Sequence, residues 1–170
     1  MTSPARADLG PMPMAGVMVT VDELRTDATP DAMFAVVRDV ASWPRHLAHY
    51  RHVRFHARDA SGGDIVEMAA WRPFGPMRWP TWWLSEMAVV PERRVVRFRH
   101  IGGITTGMDV EWRIDPLTRG SHVTLTHVWN GPRWPLIGRA AARAVIGPVF
   151  VHGIASRTLA GLARAAVTAR

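Results

Sequence analysis

From residue 17 to residue 130 the hydrophobic positions fall mostly in a period of two, and after that in a helical period. Val17, Val19 and Val21 alternate with Met18, Thr20 and Asp22, which is strand periodicity. The pattern then changes. Thr29 can cap a helix, Pro30 suits its first position, and Asp31 suits the positive end of its dipole. Met33, Phe34, Val36, Val37 and Val40 supply the apolar stripe. Ser42-Trp43-Pro44 opens a second short helix that is expected to end near Tyr50. Strands are predicted near 51–59, 64–72, 77–90, 94–101, 107–115 and 121–130. Glycine and proline turns at Gly62-Gly63, Pro73 to Pro76, Pro91 to Arg93, Gly102-Gly103 and Pro116 to Gly120 punctuate them. From Arg133 the pattern is helical. An Ala-rich segment at 136–146 meets a break at Gly147-Pro148, and a second segment runs from about Val149 to Thr168. In that segment Phe150, Ile154, Thr158, Gly161 and Ala165 share one side, with Val151 and Leu162 at its edge, and Arg157 and Arg164 sit together beside the stripe.

The order strand, two short helices, six strands, long helix predicts an α+β fold. A curved, antiparallel, seven-stranded sheet would wrap an amphipathic C-terminal helix and enclose an apolar volume. Residues 16–170 read as one domain and residues 1–15 as a flexible Pro/Gly leader. No stretch reaches the ~18 apolar residues of a membrane span. The longest apolar run, Ala144 to Val151, is interrupted by Gly147 and Pro148. The first 16 residues lack the apolar core of a signal peptide.

Charge changes the picture. All 21 cationic residues are arginine, and the formal net charge is +7. Residues 1–115 hold 14 arginines against 14 acids, whereas residues 116–170 hold seven arginines and no acid. The excess therefore lies in the C-terminal third, and an acidic partner such as a carrier protein, or an anionic lipid surface, would complement it. No nucleic-acid motif accompanies the charge, and none is expected as a partner. The chain has no cysteine. That removes disulfides, a thiolate nucleophile and thiolate metal sites, and it is compatible with a reducing, cytoplasmic setting.

The ordered segments Ala28-Thr29-Pro30-Asp31-Ala32-Met33-Phe34, Val36 to Val40, Ser42-Trp43-Pro44, Tyr50, Val89-Val90-Pro91-Glu92-Arg93, Met108 to Ile114 and Ser121 to Trp129 resemble the START/Bet v 1-like helix-grip superfamily. Within it they look most like the polyketide cyclase/dehydrase group, the aromatase/cyclases. The resemblance covers about residues 17–168. It implies a helix-grip fold, a flat or extended apolar polyketide ligand and catalysis without a cofactor. It equally admits lipid- and quinone-binding carriers, because fold does not fix function.

In a sheet with one buried face, alternate residues point inward. Met108, Val110, Trp112 and Ile114 share the apolar face of their strand, and Val123, Leu125, His127 and Trp129 share that of the next. His127 is thus a polar group on a buried face. It is either a cavity acid–base group or a core histidine with a satisfied partner. Val96, Phe98 and His100 form another inward set, and His100 is either a second cavity group or a solvated strand end. On strand 77–90 the parity Trp79, Thr81, Trp83, Ser85, Met87, Val89 is expected to face in, because it leaves Arg78 and Glu86 outside. The resembling cyclases place an inward arginine near the end of this strand. Val89 stands there in this chain, and Arg72 is a conceivable substitute. Tyr50, the only tyrosine, is expected at the cavity mouth, where those cyclases often carry a tyrosine and where a phenol can hydrogen-bond a ketone or enolate oxygen.

The expected catalytic pair is therefore Tyr50 and His127. The expected ligand contacts are Trp83, Ser85, Met87, Phe98, His100, Met108, Val110, Trp112, Trp129, Ile154 and Thr158. Eight tryptophans in 170 residues supply flat walls suited to a planar ligand. His46, His49, His52 and His56 invite a metal reading, but no HExxH and no acid at ligand spacing accompanies them, so no metal is expected. No dinucleotide or phosphate-loop glycine pattern and no Ser elbow is present. A polyketide cyclase/aromatase is the leading expectation. A non-catalytic lipid or quinone carrier, with peripheral membrane contact, is its alternative.

Overall fold

The computed structural model describes residues 9–56, 64–74, 77–131 and 153–168. The chain runs β1 (Met18–Thr26), α1 (Pro30–Arg38), a 3-10 turn (Val40–Ser42), α2 (Trp43–His46), β2 (Tyr50–Phe55), β3 (Asp64–Phe74), β4 (Met77–Val90), a second 3-10 turn (Pro91–Arg93), β5 (Val95–Gly103), β6 (Asp109–Pro116), β7 (Ser121–Trp129) and α3 (Gly153–Thr168). The seven strands form one antiparallel sheet in the order β1-β7-β6-β5-β4-β3-β2. This is the expected helix-grip architecture. The expected helix at 136–146, the break at Gly147-Pro148, and Phe150 and Val151 lie outside the described residues.

Local chemistry sets the helices. Thr29 accepts the Ala32 N–H at 3.2 Å and caps α1, with Pro30 at its first turn. Asp31 pairs with Arg94 at 2.8 Å and ties α1 to the turn before β5. Met33, Phe34 and Val37 are the buried face of α1. The second helix is shorter than expected. It ends at His46, because Leu47 adopts an extended backbone, and Tyr50 opens β2 instead of closing a helix. On α3, Ile154, Ala155, Thr158, Leu159, Leu162, Ala163 and Ala166 are buried, while Arg157 and Arg164 face outward.

The inward faces follow the expected alternation on β6 and β7. On β1 the valines face out. Val19 and Val21 are 50% and 54% exposed, whereas Met18 and Asp22 are buried. The polar positions Thr20 and Asp22 thus join the inner side of the sheet, next to His127 and Leu125 on β7. On β4 the expected parity holds for Trp83, Ser85 and Met87, all buried, and fails for Trp79, which is exposed. The reason is topological. β4 pairs with β5 only from Trp83 onward, so residues 77–82 pair with β3 alone and overhang the sheet. At the junction Gly103 has φ +88°, and a Cβ there would run into the Trp82 carbonyl. Only glycine lets β5 close on β4 at this point.

The outer face of the sheet is polar and partly covered. Arg97 and Arg99 on β5 both reach Asp109 on β6, at 3.4 and 2.9 Å. Arg97 also donates to the Gly10 carbonyl, and Arg99 donates to that of Leu9 at 3.0 Å. Of the expected leader, residues 9–12 therefore rest on β5, and Leu9 is buried.

Candidate functional site

Inside the sheet lies a cavity of about 70 Å³, lined by Trp43, Tyr50, Met68, Trp83, Phe98, His100, Thr105, Met108, Val110, Trp112, Leu125, His127, Ile154, Ala155 and Thr158. The strands β2 to β7 supply the curved wall, Trp43 the flank and α3 the cover. The expected catalytic pair Tyr50 and His127 and, of the expected contacts, Trp83, Phe98, His100, Met108, Val110, Trp112, Ile154 and Thr158 come together here. Ser85, Met87 and Trp129 do not. They are buried beside the cavity, and Trp129 is held by an N–H bond to the Thr106 carbonyl at 2.9 Å.

The walls are an aromatic cluster centred on Trp43. Its indole N–H donates to the Val36 carbonyl at 3.2 Å, which fixes the ring. Trp43 meets Tyr50, Trp112 and Phe98 edge-on at centroid distances of 5.5, 5.6 and 6.4 Å. Tyr50 meets Trp83 edge-on at 6.0 Å, and Trp83 stacks on His100 at 6.0 Å. Such edge and offset contacts fix ring positions as well as burying area.

Two imidazoles interrupt the apolar wall, and a threonine holds each. His127 Nδ1 hydrogen-bonds Thr20 Oγ1 at 3.2 Å, and His100 Nδ1 hydrogen-bonds Thr105 Oγ1 at 2.7 Å. A third histidine, His49, hydrogen-bonds Thr158 Oγ1 at 3.1 Å from outside the cavity. The alternatives left open for His127 and His100 converge, since both rings have a partner and both line the cavity. Tyr50 stands on β2 at one end of the sheet order and His127 on β7 near the other, with His100 on β5 between them.

Among the described residues no arginine and no acid lines the cavity. Val89, where the resemblance implies an arginine, is partly buried against the core, and the Arg72 side chain lies outside the described set. The acid missing from the histidine cluster is on the neighbouring strand. Glu67 on β3 takes His52 and His56 at 3.0 and 3.1 Å. The hydrogen bonds from His52, then from His56, hold its carboxyl below the usual glutamate range. Among the described residues no group of three His, Cys, Asp or Glu is placed to hold a metal ion.

Trp43, Met68, Thr105, Leu125 and Ala155 also line the cavity without having been singled out. Leu125 shares the inward parity of His127, so its signal was present. Thr105 lies in a turn, which carries no periodicity, and Met68 and Ala155 sit in runs whose inward member depends on pairing.

Fold and site define a class: a helix-grip protein with an aromatic chamber carrying pinned imidazoles. The polyketide cyclase / dehydrase and lipid transport family matches residues 26–150, and the chain belongs to that family. No curated protein matches it in sequence. Among solved structures, a protein of Thermus thermophilus superposes with a TM-score of 0.73 at 19% identity, covering 89% of this chain and 99% of the other. The Zhui aromatase/cyclase from Streptomyces sp. R1128 gives 0.73 at 19% identity, covering 88% and 93%. A START superfamily protein from Mycobacterium smegmatis gives 0.61 at 12% identity, covering 85% and 92%. These likenesses show the fold. No helix among the described residues is long and apolar enough to cross a membrane.

Proposed function

We propose that the protein is a polyketide cyclase/aromatase that folds a poly-β-ketone in the aromatic chamber and promotes its aldol closure and dehydration. The observation that carries this reading is the pair of threonine-held imidazoles, His127 and His100, on an otherwise apolar wall that also carries Tyr50. The His127 imidazole takes a proton from a methylene flanked by two ketones. The resulting enolate carbon attacks a second ketone of the same chain, and a carbon–carbon bond forms. The Tyr50 hydroxyl hydrogen-bonds the oxygen that gains charge, and the imidazolium returns its proton to that alkoxide. Removal of a second α-proton, with a proton passed to the departing hydroxyl, then expels water, and enolisation of the remaining ring ketones gives the aromatic ring. Among the described residues the walls carry no arginine and no acid, so these hydrogen bonds act in a low dielectric and gain strength. Because both reacting groups lie on one chain, positioning supplies most of the acceleration.

Such a ligand is larger than the chamber, so it widens the chamber or extends past its mouth. The chamber volume of about 70 Å³ is under half that of a cavity of about 150 Å³ that takes up benzene. The outward Arg157 and Arg164 of α3 are a docking surface for an acidic acyl carrier protein, and the reading places the protein in the cytoplasm. Arg157→Glu/Arg164→Glu protein that binds such a carrier unchanged would remove the docking assignment. The test of the function itself is a reconstituted minimal polyketide synthase, run with and without the protein and read by liquid chromatography–mass spectrometry. The expected result is a shift from a product mixture to one cyclised aromatic product.

One observation favours a second reading, a non-catalytic lipid or quinone carrier. Trp79 and Trp82 stand exposed on the overhanging β3–β4 hairpin beside Arg78, the pairing of amphipathic rings and positive charge that suits a membrane interface. An unchanged product mixture, together with co-purified lipid, would favour this reading.

A further inference from the structure

Outside the chamber lies a second, larger hollow of about 300 Å³, lined by Ala48, His49, Trp71, Arg78 and Arg157. Its residues come from three elements. Trp71 and Arg78 stand on the overhanging hairpin, Arg157 on the exposed side of α3, and Ala48 and His49 on the corner before β2. The Arg51 guanidinium lies 4.8 Å from the Trp71 ring centre and adds charge beside the hollow. Among the described residues no acid lines the hollow, and neither Arg78 nor Arg157 has a carboxylate partner. Two arginines lining one space, with no acid among its described residues, are an arrangement suited to an anion. Their planar forks match phosphate oxygens better than an ammonium would.

A hydrogen bond links the linings of the two spaces. Thr158 lines the chamber and His49 lines the hollow, and they bond at 3.1 Å. Gly161, one turn along α3 from Thr158, has no room for a Cβ because Leu47 fills the space, so the helix sits directly on the corner that carries His49.

We propose that the hollow seats the phosphate of an amphiphilic ligand whose apolar end enters the chamber, and that the His49–Thr158 bond is the latch between them. This deepens the reading of the chamber as the ligand site and rests on it. Arg78 and Arg157 pair with the phosphate, Trp71 covers the stem, and the latch opens when the stem passes. The phosphate belongs either to the thioester arm of a carrier or to a phospholipid headgroup.

Binding of two matched pairs separates these sources. Octanoyl phosphopantetheine is compared with octanoyl pantetheine, and octanoyl lysophosphatidate with mono-octanoyl glycerol, by isothermal titration. The phosphorylated member of one pair is expected to bind about tenfold tighter, a typical gain for charge-assisted contacts at a partly exposed site. The pair that shows this preference names the source. In Arg78→Gln/Arg157→Gln protein the ratio should fall to near one. Being measured within one protein, the ratio is insensitive to partial unfolding. Thr158→Val should speed ligand entry in stopped-flow tryptophan fluorescence. A ratio near one in the unmodified protein, or a preference that survives the double substitution, overturns the inference. Cyclised product without phosphate preference would overturn this inference alone. Phosphate preference without cyclised product would overturn the cyclase reading alone.

Discussion

Thr20 Oγ1 lies 3.2 Å from Nδ1 of His127, across the β1–β7 pairing. β1 turns its polar parity inward here, and the hydroxyl sets the orientation of a ring that lines the chamber. Thr20→Val keeps the shape of the side chain and removes the bond. It should lower the cyclisation rate about tenfold through lost positioning, while stability changes by no more than about 1.5 kcal/mol. Single-turnover rates and urea unfolding would check the two halves. A large stability loss with an unchanged rate would make the bond structural only.

Filling the chamber should separate binding from folding. Ala155 on α3 is buried and lines the cavity. Ala155→Leu occupies existing space, so its overpacking cost should stay at or below about 1–3 kcal/mol. Tryptophan-fluorescence titration with a hydroxynaphthalene should show at least a tenfold loss of affinity. Unchanged affinity would place the ligand elsewhere.

Glu67 gives the fold a pH dependence with a defined sign. Its carboxyl sits below the ordinary value of 4.5, chiefly through the His52 hydrogen bond and then that of His56. The folded state thus favours the carboxylate. Its contribution is complete above about pH 4.5 and is lost as the pH falls through the lower folded value. Urea unfolding between pH 3 and 7 should show a shallower acid decline for Glu67→Gln than for the unaltered protein. Identical slopes would show that the His52–Glu67–His56 contacts do not stabilise the carboxylate.

Gly103→Ala should destabilise the protein by more than about 1 kcal/mol. It combines a positive φ with a contact against the Trp82 carbonyl. Because the junction sets where β5 joins β4, ligand affinity should fall with stability, as thermal melts and the same fluorescence titration would show.

Strict alternation made β6 and β7 readable. Once Met108, Val110, Trp112 and Ile114 define one face of β6, the neighbouring strand places His127 on the same side. The capped start of α1 was equally legible, because Thr29 and Pro30 act locally. Trp79 misled because parity does not reveal where a strand outruns its neighbour. The alternation on β1 marked a strand without saying which side of it faces in. Val19 and Val21 are apolar but face out, while Thr20 and Asp22 take the inner side. Glu67 was hidden because strand register, not chain spacing, brings it to His52 and His56. Thr105, and the Arg78–Arg157 hollow, depend on the same long-range closure.

The most direct test of the chamber as a catalytic site is the reconstituted synthase assay with Tyr50→Phe and His127→Phe proteins, each first shown to be folded by its thermal melt. The account predicts that the unaltered protein directs the mixture to one cyclised aromatic product and that both variants lose this effect while staying folded. A product pattern that is the same for the unaltered protein and both folded variants would contradict it.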